Sequence, residues 1–102
     1  DQIVVLAALA QCELKTGQSG RAGELAAQAS ALARKVALPD QPSYWVGLAL
    51  LTQVDVELSL GHATRARELS LDALAQLTPT VGAGHPLTKK AAAMARPARE
   101  SG

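Results

Sequence analysis

The side chains able to do chemistry are few in this chain, and their spacing does not assemble a catalytic set. His62 and His85 lie far apart in the sequence, without a cysteine or carboxylate at metal-ligand spacing. The one cysteine, Cys12, has no second cysteine for a disulfide, and we interpret it as a small residue packed between helices. The pattern therefore predicts no metal site, no cofactor and no enzymatic activity.

Two further patterns match chemical motifs only in part. The glycine-rich stretch GQSGRAG at 17–23 lacks the Lys-Ser/Thr pair of a phosphate-binding loop, and no predicted strand precedes it. Asp55 and Glu57 are two residues apart, so on a helix they would point in different directions and would not act as a carboxylate pair. Neither pattern predicts catalysis, which leaves binding as the function class to consider.

Composition favours an all-α fold. Hydrophobic residues make up 48% of the chain but aromatic residues only 2%, so the apolar content is mainly Ala and Leu, which are strong helix formers. The 10 basic and 9 acidic residues give no overall basic excess, so a nucleic-acid partner is not expected. The longest apolar run, 3–10, is too short to cross a membrane, and with no signal peptide visible we expect a cytoplasmic location.

The sequence repeats itself with a shift of 44 residues. Identical residues coincide at positions suited to helices and turns, and a third copy begins at Pro86. Such self-similarity indicates stacked supersecondary units. The identical pairs include Leu6/Leu50, Glu13/Glu57, Leu14/Leu58, Gly17/Gly61, Arg21/Arg65, Ala22/Ala66, Glu24/Glu68, Leu25/Leu69, Ala29/Ala73 and Pro42/Pro86.

Each copy predicts two helices joined by a glycine turn. The predicted helices span roughly 1–16, 21–36, 43–60 and 64–77, and a fifth begins near Leu87. Gly17 and Gly61 suit the turns because glycine readily adopts the left-handed conformation that ends helices. Thr78-Pro79 is predicted to stop the fourth helix. The chain therefore divides into hairpin 1 over 1–38, hairpin 2 over 39–79, and the start of a third repeat with a tail over 80–102.

The inward faces are predicted from residues spaced at i, i+3, i+4 and i+7. Small side chains on these faces let neighbouring helices approach closely, so a large replacement at Ala22, Ala29, Ala66 or Ala73 should cost about 1–3 kcal/mol through overpacking. The predicted inward residues are Ala22, Leu25, Ala26, Ala29, Leu32 and Ala33 in the second helix, Leu50, Leu51, Val54 and Leu58 in the third, and Ala66, Leu69, Ala73, Leu74 and Leu77 in the fourth.

These positions resemble those of the tetratricopeptide repeat. That family has a Gly near the hairpin turn, an Ala five residues later and another Ala seven after that, and both copies carry the series: Gly17, Ala22, Ala29 and Gly61, Ala66, Ala73. The run GHPLTKKAAAMA at 84–95 resembles the opening of the long-repeat variety found in kinesin light chains and many bacterial proteins. The resemblance implies a right-handed superhelical array of antiparallel helix hairpins, an α-solenoid.

The chain also departs from the family pattern. Glu13 and Glu57 stand where an aromatic or large apolar residue is common, and Gln53 replaces the usual Leu. A helical-hairpin array of another repeat class therefore stays open as an alternative.

The resemblance also implies where a partner would bind. In this family the first helix of each hairpin lines the concave side of the array, which holds extended or helical peptides. The positions that would line it are Val4, Ala7, Ala8, Gln11 and Lys15 in the first copy, with Leu48, Leu51, Thr52, Asp55 and Ser59 in the second; we expect Gln11, Lys15, Leu48, Leu51, Thr52, Asp55 and Ser59 to contact the partner.

The expected function is that of a protein-interaction or scaffold module. An Ala-, Leu- and Arg-rich composition without Asn or Phe suggests a GC-rich bacterial genome, and we expect a fragment of a larger signalling or regulatory protein, with a Ser/Thr protein kinase as the favoured parent. The alternative is a small-ligand or peptide-signal sensor of a transcriptional regulator, in which Tyr44 and Trp45 would gate the pocket; otherwise we expect these two aromatic residues to pack against the preceding linker. The expected partner is a protein or peptide, neither a nucleic acid nor a membrane. The two end hairpins have no obvious polar outer face, so we also expect a homodimer formed through the exposed terminal helices.

Overall fold

Five α-helices make up the fold in the computed structural model, which describes residues 2–96. They are α1 (Gln2–Lys15), α2 (Ser19–Val36), α3 (Tyr44–Ser59), α4 (Ala63–Val81) and α5 (Pro86–Ala95), and no strand occurs within 2–96. Each helix packs mainly against its neighbours along the chain, and α3 also contacts α1 and α5. The all-α, repeat-like fold predicted from the sequence is confirmed, while Asp1 and the tail 97–102 lie outside the described residues.

The two hairpin turns have the same backbone structure. Gly17 and Gly61 both have φ of +81°, and each follows the last turn of a first helix. Gln18 N–H donates to the Glu13 carbonyl over 2.8 Å, and Gly17 N–H donates to the Leu14 carbonyl over 3.1 Å. His62, one repeat later, donates to the Glu57 carbonyl over 2.8 Å in the same way. This pair of bonds is the Schellman motif, which satisfies carbonyls at the end of a helix.

The core is built from the small and aliphatic faces that the periodicity predicts. Ala22, Ala29, Ala66 and Ala73 are each 0–2% exposed, and the predicted inward residues of α2 and α4 are all buried or half-buried. In α3 the prediction is wrong for Leu58, which is 45% exposed because it faces a groove that no described helix fills. Cys12 is also exposed rather than packed, since no helix within 2–96 covers that side of α1.

Helix α4 runs through the predicted stop at Thr78-Pro79 and ends at Val81. Proline removes one helical N–H, but the turn that follows has other hydrogen bonds. The Thr80 hydroxyl donates to the Gln76 carbonyl over 2.8 Å, and Gly82 N–H donates to the Thr78 carbonyl over 3.1 Å. Gly82, at φ of +89°, then ends the helix.

The linker between the hairpins is tied to both helices of the second repeat. The Ser43 hydroxyl accepts a bond from Val46 N–H at the start of α3, and Ser43 N–H donates to Oε1 of Gln76 in α4 over 2.7 Å. Tyr44 and Trp45 pack edge to face, with ring centroids 5.1 Å apart, against the main core. Within 2–96, none of the helices is both long and apolar enough to cross a membrane.

Candidate functional site

A groove lies on the surface formed by α1, α3 and α5, the first helices of the three copies of the repeat. We call it the central groove; its cavity measures about 250 Å³. Helices α1 and α3 contribute equivalent positions, and α5 contributes Leu87 and Lys90. The groove is lined by Val4, Ala7, Ala8, Gln11, Leu48, Leu51, Thr52, Asp55, Leu87 and Lys90.

The floor of the central groove is apolar and tightly packed. Ala7, Leu51 and Thr52 are 7%, 2% and 3% exposed, and the Thr52 hydroxyl is satisfied by the Leu48 carbonyl at 3.1 Å. Val4, on the rim, is 45% exposed. The spacing of three, four and seven residues along α1 and α3 puts these side chains on one face of each helix. A partner would therefore meet an aliphatic surface with little freedom to rearrange.

Polar side chains from three helices meet at one end of this groove. The Asp55 carboxylate accepts a bond from Nε2 of Gln11 over 2.6 Å and one from Nζ of Lys90 over 2.9 Å, both at Oδ2. The side chain of Asp55 is 17% exposed and that of Lys90 is 38% exposed. Lys90 offsets the charge of Asp55, and the amide oxygen of Gln11 and the second carboxylate oxygen are acceptors that could bind a partner's N–H groups.

Five of the seven residues predicted to contact a partner come together in the central groove: Gln11, Leu48, Leu51, Thr52 and Asp55. Lys15 is exposed at the last turn of α1 and does not line it. Ser59 is turned to the hairpin end instead, where its hydroxyl lies 2.9 Å from that of Ser19. Leu51 and Thr52, 2% and 3% exposed, form part of the floor of the groove.

Two lining residues, Leu87 and Lys90, were not predicted. Both belong to the third copy, whose start at Pro86 was visible in the sequence. The 44-residue register pairs Lys90 with Val46, which is 3% exposed in the core, so the repeat gives no signal that Lys90 faces the groove. The Lys90 side chain reaches Asp55 from α5, which has 10 residues against 16 in α3, so the contacts of α5 do not follow from those of α3.

The histidines have structural contacts at helix starts. Nδ1 of His62 lies 2.6 Å from Oε1 of Glu57, across the second hairpin turn. Nδ1 of His85 accepts a bond from Leu87 N–H over 3.1 Å and so caps α5. Within the described residues, no three His, Cys, Asp or Glu side chains come close enough to hold a metal ion.

Comparison with models of protein families, with curated proteins and with solved structures found no match to this chain. The tetratricopeptide resemblance therefore depends on the residues of the chain itself.

Proposed function

We propose that this chain is a protein-interaction module that binds a peptide, or a segment of another protein, in the central groove. The observation that carries the proposal is the combination of an aliphatic floor with the Gln11–Asp55–Lys90 cluster at one end. An apolar surface supplies buried area, and a few convergent polar groups fix the orientation of what binds.

We further infer that the hairpins stack as a right-handed superhelix of the tetratricopeptide kind, with the central groove on its concave side. The inference is supported by the identical Schellman turns at Gly17 and Gly61 and by the contact of α3 with both helices of the first hairpin. The proposed context is a larger bacterial regulatory protein, with a kinase as the favoured parent. We also propose a homodimer, for which the exposed Val5 and Leu9 on α1 offer an apolar surface.

Small-ligand sensing has weaker support. The central groove, at about 250 Å³, is below the range of about 300–1,000 Å³ that is typical of ligand pockets. Tyr44 and Trp45 are not among its lining residues and do not gate it. A peptide, which needs an elongated surface rather than an enclosed pocket, fits the groove better.

A selection from a phage-displayed library of random peptides tests the proposal. Peptides enriched on the immobilised chain would be titrated against the wild type, Ala8→Arg and Asp55→Lys, with Leu71→Arg as a control on the exposed face of α4. We expect Ala8→Arg and Asp55→Lys to weaken binding at least about tenfold, which is about 1.4 kcal/mol, and Leu71→Arg to have no effect. Peptides that bind all four proteins equally would contradict the proposal.

A further inference from the structure

A second groove lies beside the start of α4 and shares no residue with the central groove. We call it the terminal groove; its cavity measures about 310 Å³. It is lined by Leu58, Ala63, Thr64, Ala66, Arg67, Met94 and Arg96. Most of its surface is aliphatic, and it lies open to solvent, with Leu58 45% exposed.

The first repeat shows what fills the equivalent surface. There the second half of α3 covers the start of α2: Val56 is 4% exposed and packs with Ala10, Ala22 and Ala26. A Cβ built on Gly23 would lie 3.5 Å from Cγ1 of Val56, so the two helices are in van der Waals contact. The helical turn at Val56 is therefore a template, within this molecule, for an occupant of the terminal groove.

In the second repeat, no described helix provides that turn. Helix α5 ends at Ala95, which the register pairs with Leu51 in the middle of α3. Arg96 has φ of −64° and ψ of 145°, an extended conformation that suits a residue preceding a proline. Helix α5 thus leaves Ala63, Thr64 and Arg67, on the first turns of α4, exposed.

The α4 side of the terminal groove differs from the equivalent surface of the first repeat: Ala63 and Thr64 replace Ser19 and Gly20, and the largest change is in charge. Arg67 stands where the first repeat has Gly23, and its Nε donates to the Ala95 carbonyl over 3.1 Å, which holds the guanidinium at the rim. Arg96 is exposed at the same rim, and none of the seven lining residues is acidic. Neither arginine forms an ion pair with a residue in 2–96. Guanidinium groups bind carboxylates with paired, charge-assisted hydrogen bonds.

We propose that the terminal groove binds an acidic amphipathic helix of another protein. An aliphatic side chain of that helix occupies the place that Val56 takes in the first repeat, between Leu58, Ala66 and Met94. Acidic side chains directly before and after that residue in the sequence of the helix pair with Arg67 and Arg96. This second interaction surface does not depend on the central groove, and either one could fail without the other.

The probe is a fluorescein-labelled peptide with the sequence of residues 50–60, in which Asp55 and Glu57 flank Val56. Its binding to the full chain is followed by fluorescence anisotropy. A second peptide carries Asn and Gln in place of the two acids. We expect the acidic peptide to bind saturably and the neutral one at least about tenfold more weakly, because the charge-assisted bonds are lost.

Variants of the chain locate the binding. Arg67→Glu should abolish binding of the acidic peptide, while Arg65→Glu, a matched reversal outside the terminal groove whose partner is Glu68, should leave it unchanged. Because Arg67 also holds Ala95, a further variant, Ala63→Trp, fills the groove without removing that bond, and it should also abolish binding. Circular dichroism establishes that each variant is folded.

Three results would overturn the proposal. The first is no saturable binding by the acidic peptide, and the second is equal weakening by Arg67→Glu and Arg65→Glu, which would show attraction by net charge alone. The third is a change in the resonances of Ala66 and Met94 on Glu100→Gln without peptide, which would assign the terminal groove to the chain's own residues 97–102.

Discussion

Gly47 of α3 lies against the side chain of Leu77 in α4. A Cβ built on Gly47 would lie 2.7 Å from both Cγ and Cδ2 of Leu77, well inside van der Waals contact. Leu77 is fully buried, so it cannot turn out into solvent to make room. Helices α3 and α4 can therefore pack this closely only because Gly47 has no side chain, which leaves room for the side chain of Leu77.

We expect Gly47→Ala to destabilise the protein, although the same change in most helices is favourable. Overpacking against Leu77 costs about 1–3 kcal/mol and outweighs the gain of about 1 kcal/mol in helix propensity. The expected net loss lowers the thermal midpoint by about 4–8 °C for each kcal/mol in a domain of this size. Far-ultraviolet circular dichroism during heating measures it.

Gly20→Ala is the control for Gly47→Ala. Gly20 lies in α2 with nothing within 4 Å of its hypothetical Cβ, so alanine should raise stability there. Leu77→Ala should reduce the cost of Gly47→Ala in the double variant, because the two residues are in contact. Additive effects of Gly47→Ala and Leu77→Ala would contradict the proposed clash.

The two hairpin turns should respond alike to substitution. Gly17 and Gly61 have the same φ of +81° and nothing within 4 Å of a hypothetical Cβ, so only the backbone conformation opposes a side chain. We expect Gly17→Ala and Gly61→Ala each to cost about 1–2 kcal/mol in the free energy of unfolding, measured with urea. A large effect at one turn and none at the other would show that the turns are not equivalent.

The sequence is sufficient to predict the hairpins because the signals that define them are local. Gly17 and Gly61 suit the left-handed conformation that ends a helix, and alanine at 22, 29, 66 and 73 repeats on one helical face. The same register predicts which residues of α1 and α3 line the central groove, since one helix face is repeated after 44 residues. Five of the predicted contact residues are brought together for this reason.

Features that depend on tertiary packing are not visible in that register. Gly47 is paired with Ile3 in the first copy, so the repeat does not indicate that a side chain is forbidden there. Proline at 79 predicts a helix end, but the hydrogen bonds of Thr80 and Gly82 carry the helix to Val81. Lys90 reaches Asp55 because α5 packs against α3, a contact between repeats that the register does not describe.

Thr88 has a buried hydroxyl with no hydrogen-bond partner in the structure, although the residue is only 2% exposed. We expect Thr88→Val to raise the free energy of unfolding by about 1 kcal/mol, because valine has nearly the same shape and removes an unsatisfied polar group. Thr52→Val is the matched control, since the Thr52 hydroxyl donates to the Leu48 carbonyl. Stabilisation by Thr52→Val equal to that by Thr88→Val would contradict the explanation.

Lys90 and Asp55 should be energetically coupled, but only modestly. Their side chains are 38% and 17% exposed, and solvent screens partly exposed pairs, so we expect a coupling energy of up to about 1 kcal/mol. A double-mutant cycle with Lys90→Met and Asp55→Asn measures it, and it should decrease as salt is added. The control is Lys89→Met, because Lys89 forms no ion pair within 2–96. Coupling of Asp55 to Lys89 as strong as its coupling to Lys90 would contradict the role of the hydrogen bond.

Equivalent alanines in the two repeats should differ in their tolerance of a larger side chain. Ala22 is fully buried beneath Val56, whereas Ala66, although only 2% exposed, borders the terminal groove, where a cavity of about 310 Å³ is available. We therefore expect Ala22→Leu to cost about 1–3 kcal/mol and Ala66→Leu much less, contrary to the equal cost that the sequence repeat alone predicts. Urea unfolding followed by the fluorescence of Trp45 measures both. Equal destabilisation by the two substitutions would show that Ala66 is as tightly enclosed as Ala22, and that the terminal groove does not have room for the aliphatic side chain of a partner.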